Sequence, residues 1–119
     1  MKESYRDLVV WKRSIELVID VYRATEVFPD REKYGLCSQI RRAGVSVSCN
    51  IAEGKGRLTD GEYRHFLGNA RGSLFELQTQ IEIAHKLGHM TDELRESLLA
   101  QSDDIGRSLS ALIRYLTKK

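Results

Sequence analysis

The chain has 119 residues, 41% hydrophobic and 30% charged, with a formal net charge of +2. That composition fits one soluble globular domain with one modest core. It excludes a membrane-spanning chain, because no apolar run approaches the roughly 20 residues that a span needs.

The opening MKESYRDLVV lacks the apolar core of a signal peptide, so the expected location is cytoplasmic. Pro29 is the one proline, which predicts long uninterrupted elements. A first helix is expected over residues 7–27. Its apolar stripe reads Leu8, Trp11, Ile15, Val18 and Tyr22 and stops before Phe28-Pro29. Val10, Leu17, Val21 and Ala24 lie on the opposite side at about 100° per residue.

A second helix is expected over residues 34–56, after the charged entry DREK. Its stripe is Leu36, Ile40, Ala43, Val47 and Ile51. The stretch RRAGVSVSCNIAEGKGR, residues 41–57, is awkward there, because Gly44, Ser46, Ser48 and Gly54 disfavour a helix. Val45, Cys49 and Ala52 lie well away from the first stripe. Cys37 and Cys49 are about three turns apart on one helix, too far for a disulfide, and read as small buried hydrophobes.

The third helix is expected over residues 60–87. Tyr63, Leu67, Ala70, Leu74, Leu77, Ile81 and Ala84 alternate in steps of four and three. TDGE at 59–62 has the form of a capping box, and Gly88 is the expected stop. Gly68, Gly72, Phe75 and Thr79 face away from this stripe. Thr91 then starts a fourth helix over residues 92–117, with Leu94, Leu98, Ile105, Leu109, Leu112 and Leu116.

These signals predict an all-α fold, one antiparallel up-and-down four-helix bundle spanning residues 1–119. A lone bundle needs one apolar face per helix. Three helices here have a second, so Val10, Leu17, Val21, Val45, Cys49, Gly68, Gly72 and Phe75 are the candidate oligomer interface. The expected assembly is a closed ring or dimer. The competing expectation is that Gly44, Ser48 and Gly54 accommodate bulky neighbours such as Trp11 and Phe66.

Charge is uneven. Residues 29–58 carry six basic and three acidic side chains. Arg42, Ser46, Asn50, Glu53 and Arg57 form one narrow polar stripe. It reads as a solvated face, as a polar helix junction, or as part of a phosphate-contacting ridge of Arg41, Arg42, Lys55, Arg57, Arg64 and Arg71. Burial and mutual pairing of Arg42, Glu53 and Arg57 favours the junction. Arginines along an open groove favour the ridge.

Catalysis finds little support. No serine or cysteine has a visible base and orienting partner. His85 and His89 have metal-ligand spacing, but Gly88 is expected to end the helix between them. Glu62-x-x-His65 and Glu82-x-x-His85 fall on one helix, whereas di-iron bundles take this motif from two. No metal and no cofactor are expected.

With these residues laid out, the chain resembles the 23S ribosomal RNA intervening-sequence protein family. RDLVVWKRSIEL at 6–17, FPDREKYGLCSQIRRAGVSVSCNIAEGKGR at 28–57 and EYRHFLGNARGSLFELQTQIEIAHKLG at 62–88 carry the resemblance. NIAEG followed by Arg57 is the specific part, with Asn50, Glu53, Gly54, Gly72 and Ser73 as signature positions. The resemblance implies a four-helix bundle assembled as a homopentameric ring. It also implies kinship with the accessory variability protein of diversity-generating retroelements, which works with a reverse transcriptase and nucleic acid. The expected function is non-enzymatic: binding of RNA or DNA, or of a nucleic-acid enzyme, through arginines. The alternative is a protein-interaction scaffold with no nucleic-acid ligand.

Overall fold

Two threonines fix where the long helices begin. Thr59 Oγ1 accepts from the Glu62 backbone N–H at 3.1 Å, and Thr91 Oγ1 accepts from that of Leu94 at 3.2 Å. Each hydroxyl satisfies an amide that the first helical turn leaves without a partner. The TDGE box is half formed, because no bond returns from the Glu62 side chain to the cap.

The computed structural model describes residues 4–119. A short 3-10 turn, Tyr5–Asp7, precedes helix α1, Val9–Thr25. A second turn, Asp30–Glu32, precedes α2, Leu36–Lys55. Then come α3, Asp60–Lys86, and α4, Asp92–Lys118. No strand occurs among the described residues. α1 stops two residues short of the expected end. There Thr25 Oγ1 donates back to the Val21 and Tyr22 carbonyls, engaging acceptors of the last turn.

Gly88 ends α3. At φ +81° it occupies the left-handed region that side chains avoid. Its N–H reaches the His85 carbonyl at 3.0 Å, and the His89 N–H reaches that of Ala84 at 2.9 Å. This double bond pattern closes the helix end.

Neighbouring helices run in opposite directions. Thr25, at the end of α1, meets Cys37, at the start of α2. Gly54, near the end of α2, meets Phe66 in α3. Arg64, early in α3, reaches the Leu116 carbonyl late in α4. Arg13 and Asp104 tie α4 back to α1. The cycle closes with no diagonal packing, giving a rod of 46 × 22 × 21 Å. Among the described residues no helix is long and apolar enough to cross a membrane.

Leu17, Ile40, Ile51, Leu67, Leu74, Leu77, Ile81, Leu98, Ile105 and Leu109 fill the core. Here the α1 expectation inverts. Val10, Leu17 and Val21 are 7%, 1% and 1% exposed and belong to the chain's own core, so they are not available to an oligomer interface. The face left half-open is the other one: Trp11, Ile15 and Val18 are half-buried, and Ile19 and Tyr22 are exposed. Ser14 explains the inversion. It sits on the core arc, 1% exposed, where its hydroxyl donates to the Trp11 carbonyl at 2.7 Å and lies 2.8 Å from Ser48 Oγ of α2. A buried serine with these partners interrupts the arc without excluding it from the core.

Candidate nucleic-acid interface

The six candidate cations do not form one ridge. Arg41 turns toward α1, donating to Thr25 Oγ1 at 2.8 Å and lying over the Tyr22 ring at 4.6 Å. Arg57 donates to Glu53 at 2.8 Å and lies 4.4 Å over Phe66. Arg64 and Arg71 turn the other way, toward α4. Arg64 caps the Leu116 carbonyl at 3.1 Å, and Arg71 reaches Ser110 Oγ at 3.3 Å. Lys55 lies 5.9 Å over Tyr63. Arg42 is exposed and has no ion-pair partner among the described residues. Four arginines are thus held by the fold they sit on, on different sides of the rod.

The polar stripe divides in two. Asn50 donates to the Ser46 carbonyl at 2.9 Å and to its hydroxyl, and Ser46 meets Ser73 of α3 at 2.8 Å. Asn50, Ser46 and Ser73 therefore join α2 to α3. Glu53 and Arg57 pair with each other, 54% and 41% exposed. Arg42 joins neither. Only the Asn50–Ser46 half is a helix junction; Glu53 and Arg57 pair without being buried and Arg42 stands apart, so the three charged residues form neither a buried junction nor a continuous ridge.

The small residues also divide. At Gly54 an added Cβ would stand 2.8 Å from Phe66 Cβ and 3.1 Å from the Tyr63 ring. Gly44 faces Val18 at ordinary contact distance. Both serve packing inside the bundle. Gly68 and Gly72 face open space, since nothing lies within 4 Å of an added Cβ. They share the outer side of α3 with Phe75, 53% exposed, and Ile83, 44% exposed. Val45, 38% exposed, and Cys49 lie on the outer side of α2, so Cys49 is not the buried hydrophobe its sequence context suggested.

The helix end at Gly88 sends the two histidines to different partners. His85 meets Asp92, and His89 Nε2 meets Glu32 Oε2 at 3.0 Å with both side chains largely buried. The bond from His89 holds the Glu32 carboxyl below its ordinary value, and the Arg95 guanidinium does the same for Glu82. Among the described residues no group of three His, Cys, Asp or Glu side chains is placed to hold a metal ion.

One feature escaped the sequence because its parts are distant in the chain. At the end of the rod where α2 leaves and α4 finishes, a pocket of about 480 Å³ opens. Leu8, Tyr63, Leu112 and Leu116 form its apolar lining, and Lys55, Arg57 and Lys119 stand among its polar groups. Leu58, 98% exposed, and Tyr115, 62% exposed, stand at its rim.

A family model described as 23S rRNA-intervening sequence protein matches residues 6–111. Among solved structures, the chain is similar to a protein of unknown function from the S23 ribosomal protein family of Bacteroides thetaiotaomicron. The two are 22% identical with a TM-score of 0.82, over 89% of this chain and 96% of that one. At that identity the likeness concerns the fold. No curated protein sequence matches the chain.

Proposed function

This chain belongs to the 23S rRNA-intervening sequence protein family, and from that premise we propose that it is a non-enzymatic, self-assembling module. Its copies join head to tail into a closed ring, which the family resemblance implies is five-membered. The ring serves as a scaffold.

The observation that carries this reading is the pair of unlike apolar faces on opposite sides of the rod. One spans the α1–α2 edge, with Ile15, Ile19, Tyr22, Val45 and Cys49. The other follows the outer side of α3 toward α4, with Gly68, Gly72, Phe75 and Ile83. A two-fold dimer uses one self-complementary patch. Two different patches on opposite edges suit a head-to-tail contact, which closes into a ring when the rotation allows. The open glycines let a neighbouring helix approach α3 closely, with Phe75 as the projecting knob.

Mixing two single-face variants tests this. Ile19→Asp and Phe75→Asp should each abolish assembly alone. Mixed, each chain retains one intact face, and the pair should form a heterodimer and nothing larger. Failure of the mixture to associate, or a full-size assembly from either variant alone, overturns the head-to-tail reading.

Contact with nucleic acid is the second reading. Arg41, Arg64 and Arg71 do not favour it, because their own chain engages them, and Arg42 stands alone on its helix among the described residues. What favours it is the cationic, aromatic end of the rod.

A further inference from the structure

We propose that the rod end around the Leu58 pocket binds single-stranded nucleic acid, taking phosphates on its lysines and a base on Tyr115. This goes beyond the scaffold reading and does not depend on the ring, since a single subunit builds the whole site.

Charge gives the first argument. Residues 4–12, 53–66 and 112–119 converge on this end and hold eight Lys and Arg against four Asp and Glu. The remainder of the chain holds eleven against thirteen. The whole positive excess of the molecule, and more, sits at one end. Summed fields of this kind concentrate a polyanion more than a total of +2 suggests.

Composition gives the second. Tyr5, Trp11, Tyr63, Phe66 and Tyr115 are five of the nine aromatic residues, and all lie here. Four are paired with cations: Arg6 with Tyr5, Lys55 with Tyr63, Arg57 with Phe66 and Lys119 with Tyr115. Cations interleaved with aromatic faces suit single strands, whose unstacked bases offer a π-face to any exposed ring. Tyr115 is the open ring, beside a pocket lined by both apolar and charged side chains, among them Asp60, which pairs with Lys119 at 3.4 Å.

Geometry decides against a duplex. The pocket lies at the tip of a rod about 22 Å wide, where the last turns of α2 and α4 and the first turn of α3 meet it end-on beside the 57–59 loop. It offers no helix or ribbon of the length that enters a major groove. The contact is with phosphate and a stacked base, so little sequence preference follows.

The test uses the full chain and labelled oligouridylate of about 20 nucleotides, with a duplex of equal length as comparison. Anisotropy should report single-strand binding whose affinity falls with salt, at a logarithmic slope of about −2 for three phosphates neutralised. Tyr115→Ala should weaken it roughly tenfold. Joint Lys55→Gln, Lys118→Gln and Lys119→Gln should flatten the salt slope. Arg42→Gln, at mid-rod, should change neither. Trp11, the one tryptophan, lies at this end, so its fluorescence should respond to the oligonucleotide.

Absence of binding overturns the proposal. So does preference for the duplex, equal competition by polyglutamate, or indifference to the lysine variants in protein that remains folded by circular dichroism. Light scattering on the same samples separates the two readings. A monomer that binds through Tyr115 sinks the ring alone, and a ring that binds nothing sinks this site alone.

Discussion

Gly54 and Phe66 are in the closest packing relationship that any glycine makes here: the Cβ that Gly54 lacks would stand 2.8 Å from the Phe66 Cβ. Real carbon atoms do not approach so near, and neither backbone-anchored atom can swing away. Gly54→Ala should therefore push α2 and α3 apart. Overpacking costs about 1–3 kcal/mol, against a helix-propensity gain of roughly 1 kcal/mol. The expected net loss is up to about 2 kcal/mol by urea denaturation. A raised midpoint would contradict the packing account.

Gly72 should behave in the opposite way. Nothing lies near its added Cβ, so Gly72→Ala should stabilise an isolated subunit by up to about 1 kcal/mol through propensity alone. Measured in the Phe75→Asp background, where subunits stay apart, the midpoint should rise. In the otherwise natural chain, the same change should weaken assembly, because the neighbouring helix loses its close approach. A rise in both would show that Gly72 faces only water.

The contrast between these glycines shows what was legible. The heptad of α3, the threonine caps and the Gly88 stop are local signals, and local hydrogen bonds do fix those helix ends. The faces of α1 were not legible. Both arcs are apolar, the larger side chains lie on the arc containing Trp11 and Tyr22, and Ser14 counts against the true core arc. Ser14 is satisfied inside by the Trp11 carbonyl of its own helix and meets Ser48, 34 residues away in α2, a pairing that no local pattern announces. The six cations failed for a similar reason. Sequence gives a guanidinium's position on a helix, but its partner belongs to a different helix. The rod-end pocket draws on Leu8 just before α1, the α2–α3 junction and the end of α4 together, which no window along the chain brings into view.

Acid should loosen the opposite end of the rod. Glu32 and Glu82 titrate below the ordinary carboxylate value of 4.5 because His89 and Arg95 hold them ionised. A lowered folded value means stabilisation that is complete above about pH 4.5 and lost as pH falls through the lower folded value. Glu32→Gln and Glu82→Gln should start less stable at pH 7. Their melting temperatures should then fall less steeply than the natural chain's on approaching about pH 3. Curves parallel to that of the natural chain would remove these two carboxylates from the acid response.

The serine pair inside the bundle should be modest in energy. Ser14 gives its one proton to the Trp11 carbonyl, so Ser48 is the donor between the two hydroxyls. Ser48→Ala leaves Ser14 satisfied and should cost about 1 kcal/mol or less. Ser48→Val inserts bulk where α1 and α2 meet and should cost about 1–3 kcal/mol. Equal losses from both, by denaturant titration, would contradict a close serine contact.

The most direct test of the central claim is solution mass by light scattering over a wide dilution series. Two unlike oily faces on opposite flanks predict a particle several times 13.6 kDa, of one size throughout, reduced to the single chain by Phe75→Asp. A natural chain of 13.6 kDa at every concentration would mean that these faces tolerate water, and the ring would have to be abandoned.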